Sequence, residues 1–445
     1  VQPNSTAVDV RAWLDAQRFS PFQWLVVFLC FCVVAVDGFD TACIGFIAPA
    51  LRHEWAVGPS TLGTLFGAGL AGLMVGAFSF GPMADKVGRK KTLIVCVAFF
   101  GISSIVAAYA PTIGALIALR FVTGIGLGGA MPNAIALTSE YCPEKRKSFL
   151  TTVMFCGFTL GSGCGGLVAA ELVPAYGWRS VLLFGGILPL TLVPVLIALM
   201  PESVRYLVAN KTSRVRVAAL LRRISPIELG PYTEFTLNEI KSSGSPVRQL
   251  FAKGFRNGTL LLWCVFFMSL LIVYLMTSWL PTLIHNAGMT LTDASRVAAL
   301  YQIGGTVGAL TLGRLMDRFR PPVVLGISYA AAAPFIISLG QVHGLWLAAS
   351  VAGVGFFING SQIGANAFSA QFYPTESRVT GISWALGVGR LGSIFGAMMG
   401  GVLLAANMPL STLFILFSIP AVLASLAAFG CGFGPSQPAA VPATP

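Results

Sequence analysis

The sequence predicts an all-α integral membrane protein: twelve transmembrane helices in two pseudo-symmetric six-helix bundles. Three observations lead there. First, 56% of the 445 residues are hydrophobic and only 10% are charged, against roughly 25% charged in an average soluble domain. Second, apolar stretches long enough to cross a bilayer, about 20 residues each, recur along the chain. Third, the two halves repeat in register. Gly81-Pro-Met-Ala-Asp85-Lys86 follows the second stretch, and Gly313-Arg-Leu-Met-Asp317-Arg318 follows the eighth, 232 residues later. Glu140-Tyr-Cys-Pro143 with Arg146 follows the fourth, and Phe372-Tyr-Pro374 with Glu376 and Arg378 follows the tenth. Six-helix repeats around a midplane site are a transporter architecture.

The elements follow in chain order. A polar segment, 1–23, precedes the first apolar stretch without the layout of a signal peptide, so that stretch is expected to remain as a spanning helix. The first bundle covers 24–200, with spans at 24–50, 61–82, 92–110, 112–140, 149–172 and 180–200. A polar connection, 201–256, carries ten Lys/Arg and four Glu, and its basic stretch around Arg214–Arg223 suits an amphipathic helix. The second bundle covers 257–431, with spans at 257–285, 295–316, 322–341, 344–372, 379–405 and 409–431. The Pro- and Ala-rich tail, 432–445, is expected to be disordered.

An even number of spans puts both termini on one side of the membrane. Of the loop cations, only Arg52, Arg179 and Arg296 fall on the other side, so both termini are expected in the cytoplasm. The net charge of +12 therefore reports membrane orientation rather than nucleic-acid binding. The nine cysteines form no C-x-x-C pair and only three His are present, so neither a metal site nor a redox site is expected.

Charges inside the spans stand out. Asp37-Gly-Phe-Asp40 places two carboxylates three residues apart on one face of the first helix. A charge at the bilayer centre costs about 3 kcal/mol or more, so such residues are rarely kept without a partner or a function. Counting 1.5 Å per residue puts Asp37, Arg120 of the fourth helix and Arg390 of the eleventh near one depth, roughly 13–20 Å inside, with Asp40 about one turn further outward. The competing reading for each is a static, charge-neutralised packing contact.

Gly81 to Thr92 (GPMADKVGRKKT), Arg120 with Gly124, Gly126, Gly128 and Gly129, and Pro201-Glu202-Ser203 with Arg205 resemble signature segments of the major facilitator superfamily. Ser20-Pro-Phe-Gln-Trp24, Asp37-Gly-Phe-Asp-Thr41, Gly128-Gly-Ala-Met-Pro-Asn-Ala-Ile-Ala-Leu137 and Tyr373-Pro-Thr375 with Arg378 resemble, more closely, its aromatic acid:proton symporter family of bacterial inner membranes. One position departs. Members of 4-hydroxybenzoate type often carry a His after the acid of the second-half loop, where this chain has Pro321-Pro322.

The resemblance implies a multi-pass inner-membrane symporter importing aromatic carboxylates of 4-hydroxybenzoate, protocatechuate or benzoate type, driven by the proton gradient. The expected partners are the aromatic acid, protons and the lipid bilayer, with no nucleic acid and no cofactor; the chain is expected to act as a monomer and not as an enzyme. Proton coupling is expected from Asp37, Asp40 and Arg120, since two such close carboxylates in a dry site share a proton. Guanidinium suits bidentate carboxylate binding, so Arg390 is the first candidate for the substrate carboxylate and Arg120 the second. Phe39, Tyr274 and Trp384 are candidate walls for the ring, against the alternative of ordinary packing. Asn133, Asn359, Gln362 and Asn366 are candidate partners for ring hydroxyls, against inter-helix hydrogen bonding.

By the same resemblance a cytoplasmic gate is expected from Asp85, Arg89, Glu140, Arg146, Glu202, Asp317 and Arg378. Gly124-Ile-Gly126-Leu-Gly128-Gly129 also satisfies a dinucleotide-binding pattern, but it lies in an apolar helix with no preceding strand, so close helix packing is the better reading. Two rival functions remain open: a carrier of another organic anion, such as a chlorinated aryl acid or a muconate-like diacid, and a non-transporting sensor on the same scaffold.

Overall fold

A computed structural model of the chain describes residues 7–210, 214–225, 234–236, 250–251, 256–373, 378–406 and 408–432. The Pro- and Ala-rich tail beyond these falls outside the described residues. The spans of the first half are α2 (Pro21–Trp55), α3 (Pro59–Val87), α4 (Arg89–Ala108), α5 (Ile113–Tyr141), α6 (Glu144–Tyr176) and α7 (Trp178–Leu199). Those of the second half are α10 (Arg256–Asn286), α11 (Leu291–Arg318), α12 (Pro321–Ser338), α13 (Gly344–Phe372), α14 (Arg378–Ala405) and α15 (Leu410–Cys431). Among the described residues, eleven helices are long and apolar enough to cross a membrane by length and composition. The twelfth, α11, has 28 residues but is diluted by Gln302, Thr306, Thr311, two aspartates and three arginines, Arg296, Arg314 and Arg318.

The chain divides into two compact units. One holds 1–240 with 281–299, the other 241–280 with 300–445. Within each, the same three helix pairings recur, and small residues set them. In the first unit α3 lies on α5, where a Cβ added at Gly72 would stand 2.0 Å from Phe121 O and one at Gly124 2.0 Å from Gly69 O. In the second unit α11 lies on α13, where a Cβ at Gly308 would stand 2.1 Å from Phe356 O. The first and fifth helices of each half also meet at glycine. Gly161 of α6 faces Ala35 O of α2, and Gly392 of α14 faces Phe267 O of α10. The third and sixth pair through Gly101 with Gly186 and through Gly326 with Phe429. The glycine run of α5 thus brings backbones together, as its apolar context predicts.

Helix starts are set locally. Ser20 caps α2 by accepting from Gln23 N, and Gln23 Oε1 accepts from Ser20 N, with Pro21 in the first turn. Gln23 then donates to Tyr141 O at 2.6 Å, tying the start of α2 to the end of α5.

The polar segments are structured beyond what their composition indicates. Residues Ala7–Asp9 form β1, which pairs in parallel with β2 (Glu234–Thr236) of the connection. A short helix α1 (Val10–Ala16) follows, capped by Asp9. Arg11 of α1 pairs with Glu144 and donates to Ser139 O, while Asp15 accepts from Glu144 N. Two connection helices, α8 (Val204–Ala209) and α9 (Arg214–Arg222), complete this layer. Its apolar side, Val10, Leu14, Val217 and Leu221, is continuous with the core that Val26, Cys30, Phe100 and Leu137 build between α2, α4 and α5. All nine cysteines are free, and most are buried.

Candidate transport site

The acid pair on α2 is buried: Asp37 is 1% exposed and Asp40 is fully enclosed. Gly38 between them is required by the neighbouring helix, since a Cβ there would lie 2.1 Å from Phe158 O of α6, and Ser162 Oγ donates to Gly38 O. Arg120 of α5, 3% exposed, reaches Asp40 with Nη2 at 2.9 Å from Oδ2 and Nη1 at 3.3 Å from Oδ1. The same guanidinium donates to Asp40 O, and Ser104 Oγ of α4 donates to Oδ1 at 2.9 Å. Asp37 accepts from Thr41 Oγ1, one turn along α2, at 3.2 Å.

Depth counting placed Arg120 level with Asp37; the structure pairs it with Asp40 instead. An Arg side chain spans the 5.4 Å of one helical turn, so backbone depth alone does not choose between the two acids. In this arrangement the guanidinium of Arg120 is engaged by the carboxylate and the backbone oxygen of Asp40. Phe39 is directed into packing: it meets Phe184 of α7 and faces Gly185. Asn133 turns back on its own helix, donating to Gly129 O at 2.8 Å.

In the second unit, Arg390 of α14 is half-buried and donates from Nη1 to the hydroxyl of Tyr274 on α10 at 3.1 Å. Two sequence-predicted residues are thereby joined. Asn359 of α13 is linked to α11 through Gln302, which in turn meets Thr277 of α10. Gln362 and Asn366 continue the same face of α13. Trp384 is 46% exposed and stacks flat on Trp263. Sequence reasoning missed Ser104, Gln302 and Thr277. The signal for Gln302 was present as a large amide within a predicted span.

A charge cluster where α3, α4 and α5 begin or end gathers several gate candidates in the first unit. Arg89 Nε lies 3.0 Å from Glu140, itself only 13% exposed at its side chain, and Arg89 Nη2 lies 3.4 Å from the 71% exposed Asp85. Ser203 Oγ also donates to Glu140. Glu202 accepts from Lys90 N and Ser203 N, and Tyr141 donates to Glu202 O. Arg146 and Asp317 are exposed and belong to no ion pair among the described residues. The side chain of Arg378 lies outside the described residues.

Burial ranks these pairs. An exposed ion pair contributes at most about 1 kcal/mol, whereas removing one partner of a buried pair costs about 3 kcal/mol. Glu140→Gln is therefore expected to lower the thermal midpoint of the solubilised protein by several degrees, and Asp85→Asn to leave it nearly unchanged. Equal midpoints for the two variants would show that Glu140 is not the residue holding Arg89.

The geometry is that of a carrier: buried charges in membrane-length helices, a duplicated bundle and a charge cluster at the helix ends. Comparison with known proteins agrees. Residues 30–296 and 262–444 match the family model described as Major Facilitator Superfamily. A 4-hydroxybenzoate transporter of Pseudomonas aeruginosa is 45% identical over 96% of this chain and 96% of its own length. A gallate transporter of Pseudomonas putida is 43% identical over 97% of this chain and 96% of its own length. The solved xylose transporter of E. coli shares the fold with a TM-score of 0.72 at 17% identity, covering 92% of this chain and 97% of that one. The protein is a membrane transporter and not an enzyme, and it belongs to the major facilitator superfamily, in the branch that holds the aromatic acid transporters.

Proposed function

We propose that the chain is a proton-coupled symporter that imports aromatic carboxylates, of the type named for its relatives, across the bacterial inner membrane by alternating access. The observation that carries this reading is the charge count of the buried centre. Over these three side chains, Asp37 and Asp40 against Arg120 sum to −1 when both acids are ionised, with Asp40 the one that Arg120 engages. A single bound proton brings the group to neutrality, and a neutral group crosses a low-dielectric environment at far lower cost. Because Arg120 engages Asp40, we assign the transported proton to Asp37. Arg390, beside Tyr274, receives the substrate carboxylate. The proton gradient supplies the driving force, and no cofactor takes part. The chain works as a monomer with both termini in the cytoplasm, on the side where the loop cations gather.

The test is uptake of labelled benzoate and 4-hydroxybenzoate into proteoliposomes, with and without an inward proton gradient. Accumulation that follows the gradient, up to about tenfold per proton for one pH unit, is the expected result. Arg390→Lys should retain the charge yet weaken uptake, since an ammonium cannot make the forked contact. Uptake of a chlorinated aryl acid or a diacid in place of both benzoates would move the substrate to another organic anion. No uptake of any aromatic acid would falsify the reading.

A further inference from the structure

A polar centre in the second unit is built more rigidly than helix packing requires. Gln302 of α11 is held at both ends of its amide. Its Nε2 donates to Thr277 Oγ1 at 3.2 Å, and its Oε1 accepts from Asn359 Nδ2 at 3.1 Å. All three residues are buried. Gly305, one turn along α11, makes the space for Asn359, because a Cβ there would lie 2.5 Å from Asn359 Cβ. The Asn359 amide is thus fixed with its NH2 toward Gln302, so its carbonyl oxygen points the other way.

Gln362 and Asn366 follow at three and seven residues on the same face of α13. Gln362 is 7% exposed. The Gln362 Oε1 and Asn366 Oδ1 atoms are buried and have no hydrogen-bond partner among the described residues. An unsatisfied buried carbonyl is costly, which marks it as a place where a ligand supplies the missing group. Carbonyl oxygens accept and never donate, so they suit a hydroxyl and repel a carboxylate.

We propose that Gln362 and Asn366, with Asn359 held in place by Gln302, Thr277 and Gly305, form a hydroxyl-recognition site that makes the carrier prefer ring-hydroxylated aromatic acids to unsubstituted ones. The inference rests on the aromatic-acid reading above and adds what selects among those acids. Gln362 and Asn366 accept from the ring hydroxyl. Gln302 is a positioning residue that acts through Asn359.

The test is competition against labelled 4-hydroxybenzoate in proteoliposomes of the full chain, using unlabelled 4-hydroxybenzoate, benzoate and 4-methoxybenzoate. The methoxy group has the oxygen but no donor. In the wild type, 4-hydroxybenzoate should compete about tenfold better than either analogue. Gln362→Leu and Gln302→Leu should each reduce that ratio by about tenfold, with 4-hydroxybenzoate losing far more than benzoate. Gly305→Ala should shift the ratio the same way without removing any polar group. For a variant too slow to assay by uptake, the same ratio is read from ligand-induced thermal shifts of the purified protein. A ratio unchanged in both leucine variants, equal losses for both acids, or 4-methoxybenzoate competing as well as 4-hydroxybenzoate would overturn the hydroxyl site while leaving the aromatic-acid carrier standing. A wild-type protein that takes up no aromatic acid overturns the carrier reading itself.

Discussion

Asp40→Asn is expected to cost the fold about 3–5 kcal/mol and to abolish transport. Arg120 would be left 3% exposed with its carboxylate partner gone, and an uncompensated buried charge is among the most destabilising changes available to a protein. Ser104 could still donate to an amide oxygen, but a hydroxyl does not neutralise a guanidinium. The measurement is the amount of folded protein in the membrane together with its thermal midpoint. A second variant separates charge from shape: Asp40→Asn combined with Arg120→Met removes both charges and should recover much of the lost stability. Transport is the separate readout: in charge, Asp37 alone still passes between −1 and neutral, so proton-driven uptake that returns in the double variant would assign the coupling to Asp37. A single Asp40→Asn variant with wild-type stability would show that the ion pair contributes little to the fold.

Asp37→Asn is expected to act in the opposite way, sparing the fold and uncoupling the cycle. Asp37 is held by the Thr41 hydroxyl, which an amide oxygen can also accept from. The substitution leaves Asp40 and Arg120 as a neutral pair, equivalent in charge to the protonated wild type. Exchange of labelled for unlabelled substrate should persist, while accumulation against a gradient should fall from about tenfold per pH unit to equilibrium. Thermal stability should change by less than about 1 kcal/mol. Accumulation that still follows the proton gradient in this variant would move the proton to Asp40. The two substitutions thus differ in kind: one breaks a charge pair, the other removes a titrating group.

Much of this was legible in the sequence for definite physical reasons. Membrane spans are long and unavoidable, so α2–α7, α10 and α12–α15 follow from apolar length alone, and α11 from the repeat of the two halves. Glycine spacing in α5 announced backbone contact, and Gly124 and Gly128 make it. Arg390 and Tyr274 were chosen separately and stand side by side. What the sequence did not disclose depends on side-chain reach and direction. Whether Arg120 met Asp37 or Asp40 turned on the length of one side chain. Phe39 sits between the two acids in sequence, yet a helix places adjacent residues on different faces, and it turns to Phe184. Gln302 was passed over because an isolated amide in a span has no pattern; only its contacts with Thr277 and Asn359 give it meaning.

The parallel pairing of Ala7–Asp9 with Glu234–Thr236 imposes an order on synthesis. The first strand leaves the ribosome long before its partner exists, and the whole first half must be translated and inserted in between. Until residues 217–221 emerge the apolar residues Val10 and Leu14 lack the Val217 and Leu221 side of their core, and until residues 234–236 follow, β1 has no strand to pair with. The nascent N-terminus therefore waits, exposed to proteases and chaperones, and closes over the finished first bundle as the connection arrives. Chains halted before the connection should keep a protease-sensitive N-terminus, and chains extended past it should protect the same segment.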